Sequence, residues 1–426
     1  MPDKSGASFV GALSTRSSDN PADGHFFWLY KALHEYQARR GLRVPTVIGP
    51  DKTDSSFIVP FFKGNLRRLE FRVNPIIALN YGMNRLSQAL DERARHSVHQ
   101  YFSYDGGLSD YWVVYGLALR KADIDFVFNF HWADQWLALT DSKKFSGVLL
   151  TKLLQTTIQN APQNLRFSAE TKVLAKKLER SLFKELEIFP IFSAVSQRQL
   201  RAWEDREIHV LFLPQRASEL DFVARASRSL ESENIRVTIA VKRETWDRWG
   251  DERSKSSIKS PVILPIDGSD YEELLASTRI VVLPYNKPYF HWGSSGKFNE
   301  AIAYGCFPLV PRETAISSQS SGDPEDHEFS YPDQKSLLKV AKQILKRTQP
   351  IQLKPVTLED FVEWMNRNPP PKSTSSRVKA WAAHSALLFA ASLYREGGLT
   401  TAIQKAKKSA FARLEGYSKR SSASKL

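Results

Sequence analysis

The sequence predicts an α/β protein built from two parallel-sheet units with a helical extension at the C-terminal end. Three observations carry that prediction. The chain has 426 residues, room for two or three domains at roughly 150 residues each. Short β-rich runs alternate with helical stretches up to about residue 346, the pattern of repeated βαβ units. The alternation then restarts after a polar stretch, 197–207, which puts a boundary near residue 206. With 42% hydrophobic and 25% charged residues, the composition is that of a globular chain and excludes a disordered one.

Each element has a local reason. Residues 8–15 (SFVGALST) read as a strand, followed by a polar, turn-rich loop to residue 24. Residues 25–40 place Phe26, Leu29, Tyr30, Leu33 and Tyr36 at helical spacing. Strands follow at 43–48 and 57–62, then a long helix at 75–96. Residues 98–104 form a strand, and Asp105-Gly106-Gly107 turns the chain into the next helix. A strand at 125–130, a helix at 145–159, a strand at 165–168, a helix at 171–187 and a strand at 191–195 complete the first half.

The second half opens with 208–213, an almost uninterrupted apolar run expected of a strand covered on both faces. Then come a helix at 219–233, a strand at 237–241 and a basic, polar stretch from 242 to 260. A strand at 261–265, a short helix at 271–276, a strand at 279–283, a helix at 295–305 and a strand at 307–310 follow. A polar loop at 317–330 leads to a helix at 334–346. Asn368-Pro369-Pro370-Pro371 cannot be helical, because proline lacks the N–H donor, and it separates two final helices at 378–394 and 401–417. The expected organisation is a first Rossmann-like unit at 1–206, a second at 207–368 and helices with a basic tail at 369–426.

Charge and cysteine content narrow the setting. Lys and Arg number 60 against 46 Asp and Glu, a net charge of +14, so partners should be anionic. One cysteine excludes a disulfide scaffold and a multi-thiolate metal site, and fits a reducing cytosol. Residues 1–14 lack a basic segment followed by an apolar core, so no signal peptide is expected. The longest weakly polar run, 380–394, is interrupted by His384 and Ser385 and is shorter than the ~20 residues of a spanning helix. The expectation is a cytoplasmic protein, soluble or resting on the inner face of the membrane.

In parallel sheets, ligands bind beyond the C-terminal ends of the strands. The loop with the strongest chemistry lies within 271–311, YEELLASTRIVVLPYNKPYFHWGSSGKFNEAIAYGCFPLVP. A strand ends at Pro284-Tyr285, and Gly293-Ser294-Ser295-Gly296 then leads into a helix. Small residues let backbone approach a phosphate, and the N–H groups and dipole of a helix N-terminus bind it. Lys297 adds charge, and Glu300 stands one turn in, placed for a ribose diol. By itself the GSSG string reads more readily as a turn with Ser295 as an ordinary N-cap.

The whole stretch resembles the donor-binding segment of GT-B glycosyltransferases, family 4-like (glycosyl transferases group 1). The matching residues are Tyr271, Leu274, Leu275, Ser277, Ile280, Val281, Val282, Pro284, Tyr285, Ser295, Gly296, Glu300, Ala301, Ala303, Gly305, Pro308 and Val310. Residues 208–312 carry the likeness, while the first half matches in layout more than in letters. The resemblance implies two Rossmann-like domains around a cleft, a nucleoside-diphosphate sugar held by the second, an acceptor held by the first, and a retaining transfer needing no essential metal.

Residue by residue, the resemblance makes Arg216 the donor-diphosphate contact, with Lys297 or Lys242 replacing a lysine the family often has nearby. Ser294, Ser295 and Gly296 match its phosphate-facing loop, and Glu300 matches the ribose-binding member of its Glu-x7-Glu pair. The first member is replaced by Trp292, which removes the usual contact to the transferred sugar. The family's catalytic histidine has no equivalent after 165–168. His131, within 125–132 (DFVFNFHW), is the nearest candidate, and Glu170, with Asp105 and Asp134, is a candidate carboxylate at the cleft. Gly11, His25 and Asp105 are candidates for meeting the acceptor. Taken alone, His131 reads more readily as a packed or hydrogen-bonded strand-end histidine, and each acid as a cap or turn residue.

The expected function is transfer of a sugar to a glycan or lipid-linked acceptor in surface-polysaccharide synthesis. Residues 395–426 hold eight Lys/Arg and two acids. They would meet anionic headgroups at ~1 kcal/mol per basic residue near the surface, or form a solvated tail. Two alternatives remain: a glycosyltransferase-like binding protein without turnover, suggested by Trp292, and an RNA-directed glycosyltransferase. The latter rests on 305–311 (GCFPLVP), which resembles part of tRNA-queuosine mannosyltransferases; their N-domain pattern is not evident, so nucleic acid is the less favoured partner.

Overall fold

The computed structural model describes most of residues 98–366, with short gaps, and in residues 1–97 three strands and parts of two helical stretches. His25, Asp105, the two final helices and the basic tail lie outside the described residues, as do 192–195 of the strand expected at 191–195.

The first sheet contains β1 (Ser8–Ala12), β2 (Thr46–Gly49), β3 (Ile58–Pro60), β4 (Val98–Ser103), β5 (Asp125–Phe130), β6 (Leu165–Ala169) and β7 (Glu187–Ile188). Its order is β3-β2-β1-β4-β5-β6-β7, and every pairing is parallel. The second sheet contains β8 (Ile208–Phe212), β9 (Val237–Lys242), β10 (Val262–Leu264), β11 (Thr278–Val282), β12 (Phe307–Pro311) and β13 (Ser330–Tyr331). Its order is β10-β9-β8-β11-β12-β13, again all parallel. Each sheet therefore winds one way from its first strand and then the other, which is the doubly wound order. The fold class is the one expected, α/β with two doubly wound, Rossmann-like units.

The helices of the first unit are α1 (Leu108–Arg120), α2 (Ala133–Thr140), α3 (Phe145–Gln159) and α4 (Lys172–Leu182). Those of the second are α5 (Ala217–Glu231), α6 (Arg243–Asp247), α7 (Gly268–Ala276), α8 (Gly296–Ala303) and α9 (Gln334–Leu345). Amphipathic spacing explains them. On α4, Leu174, Ala175, Leu178 and Leu182 are buried while Lys172, Lys176 and Arg180 are exposed. Strand β5 buries Phe126 to Phe130 consecutively, as a strand covered on both faces must. Around it Tyr111, Phe128, Phe130 and Trp136 pack edge to face, with Phe130 and Trp136 centroids 4.8 Å apart.

Three expectations need correction. The helix expected at 171–187 ends at Leu182, because the Glu179 carboxylate accepts the Leu186 N–H at 2.9 Å and turns the chain into β7. Among the described residues that short strand lies at the edge of the first sheet, and Ile191 is outside any strand. The polar stretch 242–260 contains a helix, α6, beginning where β9 ends.

A last described helix, α10 (Leu358–Asn366), returns to the first sheet. Phe361 and Trp364 pack on Phe102 of β4. The buried Arg166 guanidinium, from β6, donates to the Trp364 and Met365 carbonyls at 3.1 and 3.2 Å, satisfying helix-end acceptors. It also pairs with both Glu187 oxygens. A second buried arginine, Arg206, anchors the connection entering the second unit. It donates to the Thr278 carbonyl at 2.7 Å and the Tyr304 carbonyl at 2.8 Å. Beside it lies Gly305, with φ +69°. Cys306 is fully buried, and burial pushes its thiol up to about 12, so it stays neutral.

Candidate functional site

Register brings the first two candidates together. In the β5–β6 ladder Phe130 pairs with Ala169, so His131 and Glu170 are the next residues on adjacent strands. Beneath them, buried Ser168 donates to the Asn129 side chain at 3.1 Å and ties the two strand ends. His131 Nδ1 contacts Glu170 Oε1 directly. Glu170 is 4% exposed. Burial pushes its carboxyl upward, but the charge of His131 and hydrogen bonds from His131 and Ser294 outweigh that and hold it below the ordinary glutamate value.

The other Glu170 oxygen belongs to the second unit: Ser294 Oγ donates to Oε2 at 2.6 Å. One residue on, Thr171 Oγ1 donates to the Trp292 carbonyl at 2.9 Å and accepts the Leu174 N–H at 3.1 Å, capping α4. The Trp292 side chain packs against the core of the first unit. Trp292 is therefore an anchor between the units. Asn299 of α8 reinforces it by donating to the Ile191 carbonyl.

The loop entering α8 is held from beneath. The Gln319 amide accepts the Ser295 N–H at 3.0 Å and donates to the Ser295 carbonyl at 3.1 Å. Buried Tyr285 places its hydroxyl 3.3 Å from Ser295 Oγ and accepts from Gln215 Nε2 at 2.8 Å. Ser295 is the N-cap by backbone position, yet its side chain makes no capping bond; its polar groups face the fold's own partners. Gly296 and Lys297 open the first turn, whose N–H groups lack intrahelical acceptors in any α-helix.

On α8, Phe298, Asn299, Ala301 and Ile302 are buried while Lys297 and Glu300 lie on the half-buried face. Burial lowers the Lys297 ammonium below its usual value; Glu300 opposes this, Lys242 adds to it, and Glu219 opposes it. These four charges thus share one neighbourhood at the ends of β8, β9 and β11. Lys242 is exposed and ends β9. Arg216 stands at the N-cap of α5. Buried Glu219 accepts the Gln215 and Arg216 N–H groups at 2.7 and 3.2 Å, so that helix start is occupied by its own carboxylate. Glu300 Oε2 accepts the Tyr271 hydroxyl at 3.1 Å.

The structure therefore joins His131, Glu170 and Ser294 by direct contact, and gathers Lys242, Lys297 and Glu300 electrostatically. Gly11 lies one residue before the end of β1, opposite Val47 and Phe102. His25 and Asp105 fall outside the described residues. Sequence reasoning missed Thr171, Glu219, Tyr271 as a partner of Glu300, and Gln319. Of these only Glu219 had a local signal, an acid three residues into a helix. Among the described residues no group of three or more His, Cys, Asp or Glu is placed to hold a metal ion. No described helix is long and apolar enough to cross a membrane.

No protein-family model matches the chain, and no curated protein sequence matches it. Among solved structures, the UDP-N-acetylglucosamine 2-epimerase of Rickettsia bellii aligns with a TM-score of 0.47 and 10% identity, over 91% of this chain and 98% of that one. A glycosyltransferase involved in avilamycin A biosynthesis aligns with a TM-score of 0.45 and 14% identity, over 90% and 98%. A DNA-modifying β-glucosyltransferase, solved with and without uridine diphosphoglucose, aligns with a TM-score of 0.38 and 11% identity, over 90% and 99%.

Proposed function

We propose that the protein is a glycosyltransferase that takes a sugar from a nucleoside-diphosphate donor held by the second unit and passes it to an acceptor held by the first. The observation that carries this reading is Glu170, which contacts His131 of its own unit and Ser294 of the other. It brings the ring taken here as the base into contact with the loop that the resemblance assigns to the donor phosphates. When Nε2 has lost its proton and Nδ1–H is donated to Glu170, Nε2 carries the lone pair that a general base requires. The acceptor oxygen bonds the anomeric carbon, the bond to the diphosphate breaks, and the acceptor proton passes to Nε2. Lys297, Lys242, Arg216 and the N-terminus of α8 stabilise the leaving diphosphate. Side chains and a helix dipole thereby meet its charge without an essential metal.

The resemblance supports a glycan or lipid-linked acceptor in surface-polysaccharide synthesis, and the basic 395–426 segment would bring the protein to an anionic membrane face. Calorimetry against UDP-, GDP-, ADP- and CMP-sugars tests the core of the reading. One donor class should bind, and Arg216→Ala and Glu300→Ala should each weaken it about tenfold, the scale of one hydrogen bond to a charged group. Unchanged donor affinity in both variants would refute the site.

Trp292 favours a second reading, a nucleotide-sugar binding protein without turnover, because the loop residue that would touch the sugar is spent on anchoring. Donor binding with neither hydrolysis nor transfer to any offered acceptor would select it.

A further inference from the structure

Glu300 belongs to α8, and Tyr271 comes from α7, the helix that follows β10. The two elements are far apart in sequence but place the Tyr271 hydroxyl 3.1 Å from Glu300 Oε2. The Tyr271 ring is fixed by packing on the core of the second unit. We propose that Tyr271 is a specificity-determining positioning residue: it locks the Glu300 carboxylate in the one orientation that accepts both hydroxyls of a ribose, and so selects ribonucleotide over 2′-deoxyribonucleotide donors. This rests on the reading of Glu300 as the ribose contact.

The argument is geometric. The terminal torsion of a glutamate is broad, so an unsupported carboxylate samples many planes. A carboxylate offers about four lone-pair positions. Tyr271 occupies one on Oε2, which fixes the plane and leaves acceptor capacity on both oxygens for a vicinal diol. The phenol must remain protonated to do this. Burial first, and the adjacent Glu300 charge second, raise its ionisation well above the ordinary tyrosine value, so it donates across the whole working pH range. A site organised to bond a particular hydroxyl rejects the analogue lacking it, because its polar group is then left without that partner.

The test uses the full chain, with calorimetric affinities for UDP, GDP, ADP and CDP and their 2′-deoxy counterparts. Wild type should prefer the ribo form of the base it binds. Tyr271→Phe, which keeps the ring, should narrow that preference about tenfold, the scale of one hydrogen bond to a charged group. It should do so chiefly by weakening the ribo form, at an unchanged melting temperature. Glu300→Ala should abolish the preference. A preference unchanged in Tyr271→Phe but lost in Glu300→Ala overturns the inference and leaves the donor site standing. A wild type that binds no diphosphate, or binds both sugars equally, overturns the inference and the Glu300 assignment together.

Discussion

Ser294 donates its hydroxyl to Glu170 at 2.6 Å across the boundary between the two units. The acceptor is 4% exposed and is also in contact with His131. One carboxylate thus joins the loop entering α8, proposed to hold the donor, to the ring proposed as base, and its ionisation controls both contacts.

Acid should release this join. The Glu170 carboxyl is held below its ordinary value in the fold. Its stabilising contribution is therefore complete above the unfolded value, about 4.3, and is lost as pH falls through the lower folded value. Thermal melts from pH 6 to pH 2 should show a loss on acidification that is smaller in Glu170→Gln. Equal acid sensitivity in both proteins would show that other carboxylates carry it.

His131→Ala should lower kcat by about 10²- to 10⁴-fold, the usual worth of a positioned general base, with donor affinity unchanged. The acid limb of the pH–rate profile should disappear with it. Direct displacement assisted by a base inverts the anomeric centre, whereas the resemblance implies retention. NMR of the first-formed product decides between them: an inverted product fits His131 as base, and a retained product with a mild His131→Ala effect removes it from that role.

Arg206→Ala should destabilise the second unit by about 3 kcal/mol, because it removes the buried guanidinium bonds to the Tyr304 carbonyl and to the Thr278 carbonyl, which keeps the Cys306 thiol as a weak donor, and a bond to a charged group is worth about 1.5–3 kcal/mol. Urea unfolding followed by tryptophan fluorescence reads this directly, since the guanidinium lies 5.7 Å from the Trp203 ring centroid. A midpoint shifted by less than its own error would contradict the anchoring role.

Gly305→Ala should cost about 1–2 kcal/mol from handedness alone, given φ +69°. A Cβ there would also sit 3.0 Å from Pro350 Cβ and 3.1 Å from Arg206 Nη2. The same urea titration measures it, and a neutral substitution would show that the turn can relax.

The strands of the second unit were legible because runs such as Ile208–Phe212 and Val237–Lys242 bury consecutive apolar residues. Helix α10 carried a readable start, since Thr357 and Asp360 cap each other through 2.8 and 3.2 Å bonds, but its nine residues were too short to register as a periodic stretch. The end of α4 depended on Glu179 reaching Leu186, a bond no periodicity reports. At the site, His131 and Glu170 could each be named as strand-end residues. Their contact required the β5–β6 register, and that of Tyr271 with Glu300 required two helices to pack. Composition and local pattern locate strand ends; only the sheet order says which ends meet.

The return of α10 to the first sheet has a consequence for synthesis on the ribosome. Arg166 and Phe102 receive their partners Trp364, Met365 and Phe361 only after the entire second unit has been translated. The amino-terminal unit therefore emerges long before it can be completed, with a buried-to-be guanidinium and an aromatic face still exposed. The first unit can begin to fold as it leaves the exit tunnel, but its packing on Phe102 and Arg166 is completed only when α10 arrives.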